Sequence, residues 1–231
     1  YRTSGENAWV NIMYGCDNFC TYCIVPYVRG RERSRQPQAI VSDVTSLAAE
    51  GYKKITLLGQ NVNSYGKDID TDFAALLKEL AKIEGDFTIA YMTAHPKDFN
   101  DEVIDIIAES KNIEKSIHLP VQSGRNAVRS AMNRNYTVER YLEIIDKIRA
   151  KMPSAQITTD LMVGFPGETE QDFEDTLSLV KKVRFSSSLT FIYSPRNGTE
   201  AAKMPGQIST VIQKRRISSL INAVTAAQPR N

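Results

Sequence analysis

Cys16, Cys20 and Cys23 are the only cysteines of the 231-residue chain, and all three fall within eight residues. An odd number of clustered thiols argues against a disulfide framework and points to metal binding or catalysis. The spacing is three residues, then two. Three thiolates on one short loop can hold three irons of a cubane and leave the fourth iron open to a small molecule. A structural zinc site is the rival, but zinc usually takes four ligands in two spaced pairs. Neither His95 nor His118 lies at finger spacing from the thiols. Buried, inert cysteines are the remaining alternative. One open-iron cluster explains the grouping best.

Other residues are unusual for their surroundings. Asp160 interrupts the apolar stretch 157–163, where a carboxylate is expensive to bury unless paired. Arg29, Arg31, Arg33 and Arg35 alternate beside the cysteine loop. Such a run can follow nucleic-acid phosphates or serve as a solvated face. His118 reads as a satisfied core residue, and His95 opens a loop before Pro96.

The elements that must position these residues alternate along the chain. Strands are expected at 8–13, 54–58, 88–92, 116–119, 156–163 and 189–193. Between them lie helical stretches. Ile40, Val44, Leu47 and Ala48 form one apolar face, with Gly51 as its stop; Phe73, Leu76, Leu77, Leu80 and Ile83 form the next, ending near Gly85. Further helices are expected at 102–109, through Met132, at 138–151 and at 210–226. Thr169 and Asp172 approach a capping box for a helix burying Phe173, Leu177 and Val180. This alternation implies an α/β fold with parallel strands. Six units are too few for a closed eight-unit barrel, so the expectation is an open, partial (β/α)6 TIM-like barrel. Its chemistry would lie at the carboxyl ends of the strands.

Composition sets few limits. The chain is 42% hydrophobic and 24% charged with net charge +2, ordinary for a globular protein and too weakly basic to argue for nucleic acid. No apolar run reaches the roughly 18 residues of a membrane helix, and residues 1–7 lack a signal-peptide layout. A cytoplasmic protein with no membrane association, monomeric, is the expectation.

The cysteine spacing with Tyr22 before the last thiol resembles the radical-SAM signature. The other loops narrow the likeness to the methylthiotransferases: Ile24-Val25-Pro26-Tyr27, Leu58-Gly59-Gln60-Asn61-Val62-Asn63, Thr93-Ala94-His95-Pro96, Leu119-Pro120-Val121-Gln122-Ser123-Gly124, Met132-Asn133-Arg134, Gly164-Phe165-Pro166-Gly167-Glu168-Thr169 and Tyr193-Ser194-Pro195-Arg196. The likeness covers about residues 8–205, strongest to the branch adding a methylthio group at carbon 2 of N(6)-isopentenyladenosine beside the tRNA anticodon. Departures fall at Arg125, Asn197 and the Ser186-Ser187-Ser188 stretch.

The resemblance implies one 4Fe-4S cluster on Cys16, Cys20 and Cys23, whose open iron chelates S-adenosylmethionine and cleaves it to a 5′-deoxyadenosyl radical. It implies cofactor contacts at Tyr22, Gln60, Asn61, Gln122, Ser123, Arg134 and Asp160. Gln60 and Asn61 would meet the methionine amino group, and Gln122 and Ser123 the ribose or carboxylate. Arg134 would meet the carboxylate, while Gly164 and Gly167 would lie against the adenine. Arg29, Arg31, Arg33 and Arg35 would touch RNA. Implied partners are a tRNA anticodon loop carrying isopentenyladenosine and an electron donor such as flavodoxin or ferredoxin. Residues 1–205 would form the radical-SAM core and 206–231 a helix packed on it. The family's N-terminal second-cluster domain and C-terminal RNA-binding β-barrel are not expected in this chain. The alternatives are a methylthiotransferase for a ribosomal protein or for threonylcarbamoyl-adenosine tRNA, and, in another class, a zinc-stabilised RNA-binding module.

Overall fold

The computed structural model describes residues 6–229. Most of the stretch read for a leader, 1–7, and the outermost ends of the ranges 1–205 and 206–231 lie outside the described residues. The chain divides into two compact units. One comprises the chain up to Asp17, Val25–Ile117 and Lys147–Ala155; the other comprises Asn18–Ile24, His118–Asp146 and the chain from Gln156 onward.

The first unit contains β1 (Asn7–Asn11), β2 (Met13–Tyr14), α1 (Val25–Arg29), β3 (Arg33–Ser34), α2 (Pro37–Ala49), β4 (Lys54–Leu58), α3 (Phe73–Ala81), β5 (Thr88–Tyr91) and α4 (Asp101–Glu109). Its sheet is ordered β1-β4-β5, all parallel, with Val10 beside Leu57 and Leu57 beside Tyr91. Local chemistry sets the helix starts. Pro37 opens α2 at a position where its missing N–H is no loss. Asp72 caps α3 by accepting from Ala75 N at 2.7 Å, and Asn100 caps α4 through Val103 N at 2.9 Å. Val10, Ile55, Leu57, Leu77, Leu80, Ile89, Ile104 and Ile107 are buried between sheet and helices.

β6 (Ser116–His118) and α6 (Val138–Lys151) each begin in one unit and end in the other. The second unit adds α5 (Asn126–Ala131), β7 (Gln156–Val163), α7 (Glu170–Val183), β8 (Ser187–Ile192) and α8 (Thr210–Ala227). β7 pairs in parallel with β8, and Leu119 N donates to Thr158 O at 2.8 Å on its other side. The Thr169–Asp172 capping box is formed in full. Val128, Met132, Phe165, Tyr193 and Ala201 make a cluster on which Tyr22, Met162 and Met204 pack.

All six expected strands are present: 54–58 and 156–163 keep their expected bounds and the others have adjusted ends, the first stopping at Asn11 with Met13 in β2. The last starts at Ser187 rather than 189, because Ser186 exchanges hydrogen bonds with Ile157 at 2.8 and 3.2 Å and carries the pairing upstream. The described strands form two three-stranded sheets, β1-β4-β5 and β6-β7-β8, and the two-stranded β2–β3 ribbon. On α7, Thr176 rather than Leu177 is buried beside Phe173 and Val180, since its hydroxyl accepts from Gly124 N at 2.9 Å. The short α1 and the β2–β3 ribbon have no apolar periodicity to reveal them.

Candidate functional site

In the first unit the cysteine loop is held by backbone geometry. Gly15 has φ +81, and a Cβ there would strike the carbonyls of Gly30 and Arg31, so only glycine fits this approach. Cys16 N donates to Gly30 O at 3.2 Å, and Gly15 N donates to Gln60 Oε1 at 2.6 Å. Asp17 and Glu32 exchange backbone-to-carboxylate bonds at 3.2 and 3.3 Å. Gln60, expected to meet a ligand, therefore uses its acceptor oxygen to anchor the loop. Its neighbour Asn61 does not: Nδ2 donates to Asp98 at 2.8 Å, while Oδ1 is buried and has no hydrogen-bond partner among the described residues. An ammonium group needs such an acceptor.

Of the four arginines in this unit, Arg31 pairs with Asp17 at 3.0 Å and Arg35 with Asp43 at 2.8 Å. Arg29 and Arg33 are exposed and make no ion pair among the described residues. His95 is buried, and its Nδ1 accepts from Lys97 N at 3.3 Å.

In the second unit Cys20 and Cys23 form a tight turn, Cys23 N donating to Cys20 O at 2.9 Å. Asn133, which the residue-by-residue reading of roles passed over, holds this loop: Nδ2 donates to Asn18 O and Phe19 O, each at 3.1 Å. Thr21 N donates to Met132 O at 3.1 Å and Ala201 N to Thr21 O at 2.8 Å. Its presence in the Met-Asn-Arg motif was the available signal.

Arg134 is buried, and its guanidinium is divided among neighbours. Nη2 donates to Pro120 O at 2.6 Å, Nε to Tyr136 OH at 3.0 Å and Nη1 to Tyr22 OH at 3.2 Å, with Cys20 Sγ at 4.0 Å. A fork shared this way braces the cysteine loop through Tyr22. Burial works to lower the Arg134 pKa, but Tyr136, Tyr22 and Cys20 outweigh it and hold the guanidinium above its usual value. Burial pushes the Tyr22 phenol up, with Arg134 opposing. The loop thus has a permanent cation beside Cys20 and a neutral phenol.

Gln122 has φ +67, a left-handed conformation that is uncommon outside glycine and asparagine. Its backbone bridges β7, accepting from Met162 N and donating to Asp160 O, both at 2.9 Å, and its Oε1 is buried without a partner among the described residues. Asp160 Oδ1 is likewise buried without a hydrogen-bond partner, and His118 Nε2 stands 3.5 Å away. His118 Nδ1 meets Thr158 Oγ1 at 2.9 Å. Ser123 is fully buried; its hydroxyl lies 3.4 Å from Thr176 and accepts from Arg125 N at 3.2 Å. That makes it a turn residue on the α7 side. Arg125, a departure from the family pattern, is matched by Asp172 and Asp175 at 3.3 and 3.1 Å. Gly164 and Gly167 both have positive φ, and Glu168 Oε2 accepts from Gly164 N at 2.7 Å.

None of the three cysteines is in a disulfide. Among the described residues no three Cys, His, Asp or Glu side chains are gathered as a metal cage. The donor chemistry nevertheless suits an iron–sulfur cubane. Three thiols lie on one loop, two of them buried, and Arg134 can offset the negative charge of a thiolate-bound cluster. Zinc would need a fourth ligand, yet both ring nitrogens of His118 already face Thr158 and Asp160.

Residues 10–180 match the family described as the Radical SAM superfamily, and the chain belongs to it. Among curated relatives, it is 58% identical over 222 residues to the tRNA-2-methylthio-N(6)-dimethylallyladenosine synthase of Thermoanaerobacter pseudethanolicus, covering 95% of this chain and 47% of that protein. The enzyme of the same name from Pelotomaculum thermopropionicum is 55% identical, over 95% of this chain and 50% of its own length. The chain spans about half the length of the curated relatives it matches. Among solved structures, the radical S-adenosylmethionine methyltransferase TsrM from Kitasatospora setae, with cobalamin and a 4Fe-4S cluster bound, aligns with TM-score 0.72 at 17% identity, over 84% of this chain and 38% of that one. Coproporphyrinogen III oxidase HemN from Escherichia coli, titled a radical SAM enzyme, aligns with TM-score 0.70 at 17% identity, over 96% and 52%. These likenesses show the radical-SAM α/β fold. Among the described residues no helix is long and apolar enough to cross a membrane.

Proposed function

We propose that this chain is the S-adenosylmethionine-cleaving core of a tRNA methylthiotransferase acting on N(6)-isopentenyladenosine beside the anticodon. The observation that supports it most is the cysteine loop itself. Glycine geometry and Gln60 anchor the Cys16 side, while Asn133 and Arg134 anchor the Cys20–Cys23 side. Cys16, Cys20 and Cys23 would hold one 4Fe-4S cluster, residues 1–205 forming the core and 206–231 its closing helix. Held by these thiolates, such a cluster would supply, when reduced, the electron for cleaving a carbon–sulfur bond of S-adenosylmethionine.

The chain's own residues bind and orient. Asn61 Oδ1 would accept from the methionine ammonium, and Gln122 Oε1 and Asp160 Oδ1 would accept from ribose hydroxyls. Each is buried, so an approaching donor would satisfy a group otherwise left desolvated. Arg29 and Arg33 are the arginines left to meet RNA phosphates. The electron donor would be a small redox protein such as flavodoxin or ferredoxin, and the setting cytoplasmic.

Anaerobic reconstitution followed by iron, zinc and sulfide analysis tests the reading. Near-equal iron and sulfide, with 5′-deoxyadenosine released after dithionite reduction, is the expected result. Stoichiometric zinc without sulfide would replace it with a zinc-stabilised RNA-binding module.

A further inference from the structure

β8 has an inverted pattern. Its apolar side chains Leu189 and Phe191 are 60% and 44% exposed, whereas Ser188 and Thr190, which alternate with them, are half-buried. Register explains which way each set points, because directly paired residues of parallel strands share a face. Leu189 lies beside Asp160 and Phe191 beside Met162. Ser188 and Thr190 lie beside Thr159 and Leu161, both fully buried. The exposed apolar pair therefore continues the face that carries Asp160, away from the packed side of the sheet.

An edge strand normally blunts its open side with charge or proline. β8 has no further strand beyond it among the described residues, yet it presents leucine and phenylalanine. Met162, next to Phe191, packs on the same cluster as Tyr22 of the cysteine loop. Leu189, Phe191 and Met162 thus form an apolar strip with one carboxylate, Asp160, beside it, and its Met162 end shares a packed cluster with the cysteine loop.

Resting on the function proposed above, we infer that Leu189 and Phe191, with Met162, are the specificity surface for the branched five-carbon isopentenyl group of the substrate adenosine. A small hydrocarbon needs apolar wall and no hydrogen bonds, which is what this strip offers. The strip adjoins Asp160, which pairs with Leu189 and is one of the acceptors assigned above to the cofactor, so a base seated there would lie beside that carboxylate. RNA sugar and phosphate would find no donor on this strip.

The test uses the anaerobically reconstituted chain with S-adenosylmethionine and two free nucleosides, N(6)-isopentenyladenosine and adenosine. Saturation-transfer NMR reads binding of each. The parent chain should prefer the isopentenyl nucleoside by about tenfold or more, the scale a few buried carbons provide. Leu189→Asp and Phe191→Ala should each erase most of that preference and leave adenosine binding within about twofold, while Phe191→Leu retains it. Both side chains are exposed, so the melting temperature should stay constant. Unchanged preference in both variants would overturn this assignment and leave the proposed function standing. A parent chain showing no preference at all would overturn the proposed substrate. A parent dimer that dissociates in Leu189→Asp would give the strip to a second copy of the chain and overturn the assignment too.

Discussion

The carboxamide oxygen of Gln60 accepts the Gly15 amide proton at 2.6 Å, so a residue at the end of β4 controls the chain one step before the first cysteine. Its neighbour Asn61 keeps a buried oxygen with no hydrogen-bond partner among the described residues. Adjacent polar side chains thus differ: Gln60 anchors the loop, and Asn61 is the one proposed above to meet the ligand.

The division is testable. Gln60→Ala removes one hydrogen bond, worth about 0.5–1.5 kcal/mol, and should speed cluster loss on chelator challenge with little change in S-adenosylmethionine affinity. Asn61→Ala should weaken that affinity about ten- to a hundredfold while the cluster's visible spectrum persists. Equal affinity loss in both, measured by equilibrium dialysis, would show that the two residues share one role.

Gly15→Ala should be among the most damaging single changes in the loop. Positive φ adds about 1–3 kcal/mol of strain for a non-glycine residue, and the new Cβ would meet backbone carbonyls that cannot swing aside. Reconstituted iron content should drop well below that of the parent. Full iron loading at an unchanged melting temperature would remove the glycine from the argument.

Arg134→Met strips donors from Pro120 O, Tyr136 OH and Tyr22 OH at once. Tyr136 OH still donates to Pro120 O at 3.2 Å, so the loss falls on the two phenol oxygens and should destabilise the fold by on the order of 2 kcal/mol, lowering the melting temperature by roughly 4–8 °C. Loss of a cation beside Cys20 should also make the reconstituted cluster harder to reduce. A variant with lowered stability and an unmoved potential would confine Arg134 to packing.

Glu168 supplies a pH test. Burial lifts its carboxyl above the usual range, against the opposing pull of Gly164 N–H and Arg216, whose guanidinium lies 2.7 Å away. With the folded pKa above the unfolded one, this group's contribution is full below about pH 4.3 and is lost as pH rises through the folded value. Glu168→Gln lacks that dependence. Whatever its fixed penalty, the melting-temperature gap between parent and variant should narrow from pH 4 toward pH 7. A gap that widens would mean the ion pair with Arg216 outweighs burial.

Much of this was legible in sequence because strands and helices write their periods plainly. Val10, Leu57 and Ile89 announced the first sheet, and Thr169–Asp172 announced α7 to the residue. What stayed hidden depends on which neighbour a polar atom finds. Gln60 and Asn61 look alike in sequence, yet only the fold brings Gly15 to one and leaves the other's oxygen empty. Arg134 reads as a ligand for a carboxylate until Pro120, Tyr136 and Tyr22 are seen around it. Leu189 and Phe191 pass for core residues because alternation alone does not say which face of β8 is covered.

The last prediction concerns the limits of this chain. Cleaving S-adenosylmethionine requires one cluster and the groups that hold the cofactor, the roles proposed above for the cysteine loop and for Asn61, Gln122 and Asp160. Sulfur insertion, by the family resemblance, requires a second cluster on three further cysteines, and this 231-residue chain contains three in all. Its net charge of +2 also gives little long-range attraction for RNA. The isolated chain, reduced with dithionite in the presence of isopentenylated tRNA, should therefore release 5′-deoxyadenosine slowly and form no methylthiolated adenosine. Mass spectrometry of one anaerobic reaction scores both products. Methylthio-adenosine above trace level would demand another sulfur source and sink the two-cluster account, whereas absence of 5′-deoxyadenosine at full iron loading would show that cofactor cleavage needs residues this chain does not contain.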